Sequence, residues 1–325
     1  MKWKLFYALF LFIFSSNSVF AFEFAKAKAT IKVVDENGLA VSNARIMGGF
    51  FNVKVASGGV NFKGVTDTNG ECSVTGQTHG EFSYGIEKEG YYSSEGRYRE
   101  WMARRGKIEW GKWQPWNPVV TQMIRKIINP IPMYARMIEM KIPEENVNVG
   151  FDLLTGDWIS PYGSGQRGDL FFKLSRRITT KDDYEGVLEL TFTNLYDGIV
   201  ANDINFMQSS FRLPRYALES GYQNKWSYMQ AKNPQRGYYG ATGLGEDKSY
   251  FFRVRSTLDD KGQLKESLYG KINGEIRIQG ITRSDGVKVI FKYYLNPTPN
   301  DRNMEFDPKQ NLFKNLKSTE EINVP

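Results

Sequence analysis

The chain has 325 residues, 41% hydrophobic and 14% aromatic, which is enough apolar material for one large core or two ordinary ones. A single cysteine and a single histidine exclude an internal disulfide, a Cys/His zinc site and any Ser-His-Asp or Cys-His nucleophile not built on His79. The charge of +7 is mild and spread along the chain, with no concentrated basic stripe, which argues against a nucleic-acid partner.

Residues 1–21 read as a signal peptide. Lys2 and Lys4 precede an apolar run from Leu5 to Phe14, and Ala21 offers a small residue for cleavage. Ten apolar residues are too few for a span, which takes about 20. The junction carries no cysteine for lipid attachment, and no later stretch is long and apolar enough to cross a membrane. The expected address is the periplasm or the exterior, with no transmembrane segment in the mature chain.

Residues 26–100 read as a small β-sandwich. Ala29–Val34 is β-prone and closes on Asp35-Glu36-Asn37-Gly38. Gly64 to Thr66 leads into the Asp67–Gly70 turn, and Glu71–Thr75 returns from it. Phe82–Lys88 alternates strictly. The order Val33-x-Asp35-x-x-Gly38, Val41-x-x-Ala44, Gly64-x-Thr66-Asp67-x-x-Gly70 and Lys88-x-Gly90-Tyr91 resembles the carboxypeptidase regulatory-like domain. That resemblance implies a transthyretin-like sandwich and an accessory module with no peptidase activity. Cys72 is expected as a buried small hydrophobe and His79 as a turn residue. No cofactor is expected. Calcium at the Asp67–Gly70 turn is the weak alternative, since an EF-hand loop would need an acid where Thr78 stands.

Residues 101–117 hold Trp101, Trp110, Trp113 and Trp116 among Arg and Lys. They read either as an aromatic binding platform or, preferably, as a packed joint between two domains.

Residues 118–307 read as a larger antiparallel sandwich, jelly-roll-like, with strands at Leu170–Ile178, Gly186–Thr193, Ile204–Leu213, Tyr250–Thr257, Ser267–Ile278 and Val287–Leu295. Val119–Ile128 and Met133–Ile142 are expected to pair. The segment 150–169 sets Asp152, Asp157 and Asp169 near Trp158, Tyr162 and Arg167. Three readings stay open: turn capping with an Asp–Arg167 pair, a ligand or Ca²⁺ site, and a glycosidase-type carboxylate dyad. Pro214–Gly240 reads as a long loop whose Tyr222, Trp226 and Tyr228 could bind a glycan or peptide.

The stretches Gly150-Phe151-Asp152-Leu153, Gly156-Asp157-Trp158, Pro161-Tyr162-Gly163 and Tyr293 to Asp307 are similar to a family of uncharacterised exported bacterial proteins, which implies no activity. Residues 308–325 read as a polar, fraying tail. The whole is thus an all-β chain whose expected role is non-enzymatic binding, with a glycan or another envelope protein as partner. A carboxylate hydrolase using two of Asp152, Asp157 and Asp169 is the alternative, and a structural envelope component the third.

Overall fold

The computed structural model describes residues 25–52, 59–103, 106–203, 209–242 and 248–325. The signal-peptide reading of 1–21 lies outside them, as does the front half of the expected strand Ile204–Leu213; Phe211 and Leu213 are buried without joining a strand. The chain is all-β and divides into two compact units, residues 1–126 and 127–325.

The first unit opens with β1 (Lys26–Val34), whose Ala27, Ala29, Ile31 and Val33 are buried on one face. The Asp35 carboxylate accepts the N–H groups of Asn37 and Leu39, and Gly38 takes φ 77° to finish the turn. β2 (Arg45–Phe51), β3 (Gly59–Val65), β4 (Glu71–Gln77), β5 (Phe82–Glu87) and β6 (Ser94–Tyr98) follow. Asp67 closes the β3–β4 turn by accepting from Asn69 and Glu71. Thr66 Oγ1 donates to Val41 O and accepts from Ala44 N–H. Asp35, Thr66 and Asp67 thus close the turns of this sandwich.

One sheet runs β3-β2-β5-β6. The other runs β4-β1-β8-β7, where β7 is Lys107–Glu109 and β8 is Lys112–Gln114. A short helix α1 (Glu100–Ala103) precedes β7. β9 (Val119–Met123) adds to β1 in parallel, Thr30 opposite Val119. Gly64 lies so close to Cys72 that a Cβ there would stand 2.3 Å from Sγ. Gly64→Ala is expected to cost the first sandwich about 1–3 kcal/mol by overpacking. The measurement is its urea midpoint, which Cys72→Ala should largely restore.

The tryptophan-rich stretch is not separate from the first unit. Trp101 and Trp113 are buried in the first core, where Trp101 Nε1 donates to Pro115 O and Trp113 Nε1 to Thr78 O. Nor do Val119–Ile128 and Met133–Ile142 pair. β9 belongs to the first unit, and β10 (Tyr134–Lys141) joins β21 (Lys288–Leu295) in the second. The boundary accordingly moves from 117/118 to 126/127.

In the second unit, one sheet runs β10-β21-β19-β18-β15, with β15 at Gly198–Asp203, β18 at Lys248–Leu258 and β19 at Leu264–Ile272. The expected strand 267–278 is split, and its end forms β20 (Arg277–Gln279) on β21. The other sheet runs β12-β11-β13-β14-β16-β17. Its strands are β11 (Val149–Asp152), β12 (Asp157–Trp158), β13 (Leu170–Thr180), β14 (Asp183–Thr191), β16 (Lys225–Asn233) and β17 (Gly237–Thr242). The core between the sheets is aromatic: Phe151 meets Trp158, Phe291 and Tyr293 edge-on at 5.3–6.4 Å.

The tail is packed. Phe313 meets Tyr134 edge-on at 5.2 Å, Glu320 pairs with Arg136 at 2.7 Å, and Ile322 is buried. Two apolar anchors and one ion pair hold a segment whose average composition is polar.

Candidate functional site

The carboxylate segment folds around a residue that its own sequence neighbourhood does not contain. A register shift in β18 between Val254 and Thr257 puts Arg255 at φ 57°. The Asp197 carboxylate accepts the Arg255 and Ser256 N–H groups at that irregularity, at 3.1 and 3.0 Å. The guanidinium then reaches Asp169, Nε to Oδ1 at 2.8 Å and Nη2 to Oδ2 at 2.8 Å, and Asp152 Oδ1 at 2.9 Å.

Asp152 and Asp169 are 2% and 4% exposed. Asp152 also accepts from the N–H groups of Leu154, Gln166 and Arg167 and from the Thr155 hydroxyl. Asp169 accepts from Leu153 N–H. Burial works to raise the Asp152 carboxyl, yet these N–H donors hold it below the ordinary aspartate value. Burial raises Asp169, against the lowering pull of Arg255.

This geometry corrects the sequence reading at several positions. The partner is Arg255, not Arg167, whose side chain is exposed and which reaches Asp152 through its backbone N–H at 3.2 Å. Asp157 caps a turn, accepting from Trp158 N–H and from the N–H and hydroxyl of Ser164. Trp158 is a core residue whose Nε1 donates to Lys141 O. Tyr162 is 39% exposed, with its hydroxyl on Glu144. A glycosidase dyad needs one carboxyl free to donate a proton across an open cleft. Asp152 and Asp169 are enclosed and committed to Arg255, so they do not form one. Among the described residues no three His, Cys, Asp or Glu side chains gather in metal-binding geometry.

The expected binding loop 214–240 is largely a hairpin, β16 to β17. Trp226 and Tyr228 lie on the core-facing side of β16. Tyr228 is 7% exposed, and Trp226 Nε1 donates to the Tyr250 hydroxyl. Burial pushes the Tyr228 hydroxyl up to about 12. Tyr222 is held by its hydroxyl donating to Leu218 O and by Arg253 over its ring at 4.7 Å. None of the three stands free on a loop as a stacking platform.

What the sheets do present is edges. β12 and β20 are two and three residues long. The tail runs beside β10: Leu312 N–H donates to Met133 O, Asn311 brackets Ala135, and Met137 N–H donates to Glu320 O. β15 is met by Gln223, which exchanges two backbone bonds with Ile199. β17 is different. Its six residues, Gly237-Tyr238-Tyr239-Gly240-Ala241-Thr242, contain no charge and no proline. It pairs with β16 on one side and, among the described residues, ends the sheet on the other, with Tyr238 60% exposed. Sequence reasoning passed over this strand because its glycines and tyrosines read as loop.

No protein-family model and no curated protein matches the chain. Among solved structures it is similar to the 3-chlorocatechol 1,2-dioxygenase of Rhodococcus opacus 1CP, at 14% identity and a TM-score of 0.26, over 32% of this chain and 60% of that one. It is also similar to BcpA, the major pilin subunit of Bacillus cereus, at 11% identity and a TM-score of 0.23, over 82% and 95%. A streptococcal ancillary pilin matches at 10% identity and a TM-score of 0.21, over 70% and 53%. None of these likenesses assigns an activity.

Proposed function

We propose that this is an exported, non-enzymatic interaction protein of the bacterial envelope, which engages an extended segment of a protein partner by strand addition at β17. Its first sandwich is read as a carboxypeptidase regulatory-like accessory module, on the turn-closing roles of Asp35, Thr66 and Asp67. Export rests on Lys2, Lys4 and the apolar run Leu5–Phe14. Among the described residues no helix is long and apolar enough to cross a membrane.

The observation that carries the reading is the contrast between edges. Sheet edges are normally kept short, covered or charged because their unpaired N–H and C=O groups recruit other strands. Here that protection is present at β12, β10 and β15, and among the described residues no such cover, charge or proline meets β17. An extended peptide supplies the matching backbone groups, and exposed Tyr238 supplies a side-chain contact. The glycan reading loses its support, since Trp226 and Tyr228 pack inward.

The test is a photo-crosslinking residue at Tyr238 in the full chain, expressed in its native envelope. One discrete protein adduct is expected. It should vanish when Ala241→Lys guards the edge, and it should not form from Glu139 on the covered β10 edge. An adduct indifferent to Ala241→Lys, or none at all from a folded chain, refutes strand addition at β17.

A further inference from the structure

The turn between β7 and β8 consists of Trp110 and Gly111, both with positive φ, 52° and 70°. Two successive left-handed residues make the tight hairpin turn that Asn-Gly or Gly-Gly normally provide. A bulky side chain is an outlier in that backbone region, and such outliers concentrate at functional sites. This one serves no packing role, because Trp110 is 98% exposed. A large indole is therefore held on a strained backbone at the point of a hairpin.

Its surroundings define the surface that would receive it. Lys112 follows the turn and lies over the ring of Trp116, 5.0 Å from its centroid, and Trp116 is itself 37% exposed. Lys26 is the register partner of Lys112, and its N–H donates to Gly111 O. Lys107 is paired with Glu109 at 2.5 Å. Among the described residues the tip thus carries the exposed Trp110 and Trp116, with Lys26, Lys107, Lys112 and Glu109. β1 begins beside it, at Lys26.

We infer that the Trp110 hairpin is an interfacial anchor, which places its indole among the headgroups of an anionic lipid bilayer while Lys26 and Lys112 meet the phosphates. Tryptophan combines an apolar body with an N–H donor and concentrates at membrane–water interfaces. Neighbouring lysines add attraction to anionic lipid that salt screens. A cationic or purely apolar partner would leave these lysines unmatched. The inference is independent of strand addition at β17, which lies in the other unit.

The experiment uses the full chain as exported and two kinds of vesicle. One contains phosphatidylglycerol and phosphatidylethanolamine, the other phosphatidylcholine alone. The protein is expected to co-sediment with the anionic vesicles, to be released by salt, and to leave the neutral ones largely unbound. Trp110→Asn suits the left-handed turn and keeps the fold, and it should weaken vesicle binding by about tenfold or more. The pair Lys26→Glu and Lys112→Glu should do the same while leaving neutral vesicles unaffected. Wild type that stays in the supernatant at low salt overturns the anchor, as does Trp110→Asn binding as well as wild type. A Trp110-dependent protein adduct without vesicle binding would also overturn it, by making the tip a protein contact. The Tyr238 adduct reports separately on β17.

Discussion

Arg255→Met is expected to lower the stability of the second sandwich by about 3–5 kcal/mol at neutral pH, because it strands two enclosed carboxylates without their cation. The backbone cost of φ 57° is unchanged, since both side chains carry a Cβ, so the loss is electrostatic. Native-state hydrogen exchange of the β11 and β13 amides measures it without interference from the first unit. The pH dependence has a definite sign. Asp169 is already raised by burial, and losing Arg255 removes its principal lowering partner. A carboxyl whose folded pKa exceeds its unfolded value binds more protons when folded, so stability falls as pH rises through that range. The variant should therefore regain part of its loss on acidification from neutrality, and Asp169→Asn in the Arg255→Met background should do the same at constant pH. A loss of under about 1 kcal/mol, the size of an ordinary exposed ion pair, would mean that the centre is not a desolvated lock.

That centre also shows where sequence reading stops. The turn residues of the first sandwich were legible because their chemistry is local: Asp35 serves Asn37 and Leu39, and Asp67 serves Asn69 and Glu71. Asp152 and Asp169 lie close in sequence and share one guanidinium in the structure. That partner was not legible, because Arg255 is 103 and 86 residues away and is aimed by a strand irregularity. Arg167 looked right because it was near in sequence. β16 escaped notice for a different reason. Trp226 and Tyr228 share a face with Gln230 and Lys232, so no clean apolar alternation marks the strand. β9 pairs in parallel with β1, a choice that nothing in Val119–Met123 announces. The tail reads as polar because Phe313 and Ile322 are diluted among lysines, asparagines and glutamates, although two anchors are enough to hold it.

The second large effect is expected at Glu305, which is 0% exposed and ties three separated segments together. Its carboxylate accepts the N–H groups of Ile128 and Asn129 at 2.8 and 2.9 Å and meets Arg215 at 2.5 Å. Its own carbonyl accepts from Ile131 N–H, and its N–H donates to Asn303 Oδ1. The segments at 127–131, 215–217 and 303–306 thus converge on one side chain. Glu305→Ala should cost about 3–5 kcal/mol, because it leaves an arginine that is only 10% exposed without its anion and two backbone donors without acceptors. Glu305→Gln keeps the volume but turns an amide donor toward one of those donors, so it should recover little. Arg215→Met separates the contributions: with the cation gone, the double variant should be less damaged than the sum of the singles, by about 1–3 kcal/mol. Strict additivity in that cycle would assign the loss to the Ile128 and Asn129 donors alone. In either case the protection of β10 and β21 should fall before that of β13 and β14, because the segment entering β10 and the segment leaving β21 are the ones that Glu305 holds.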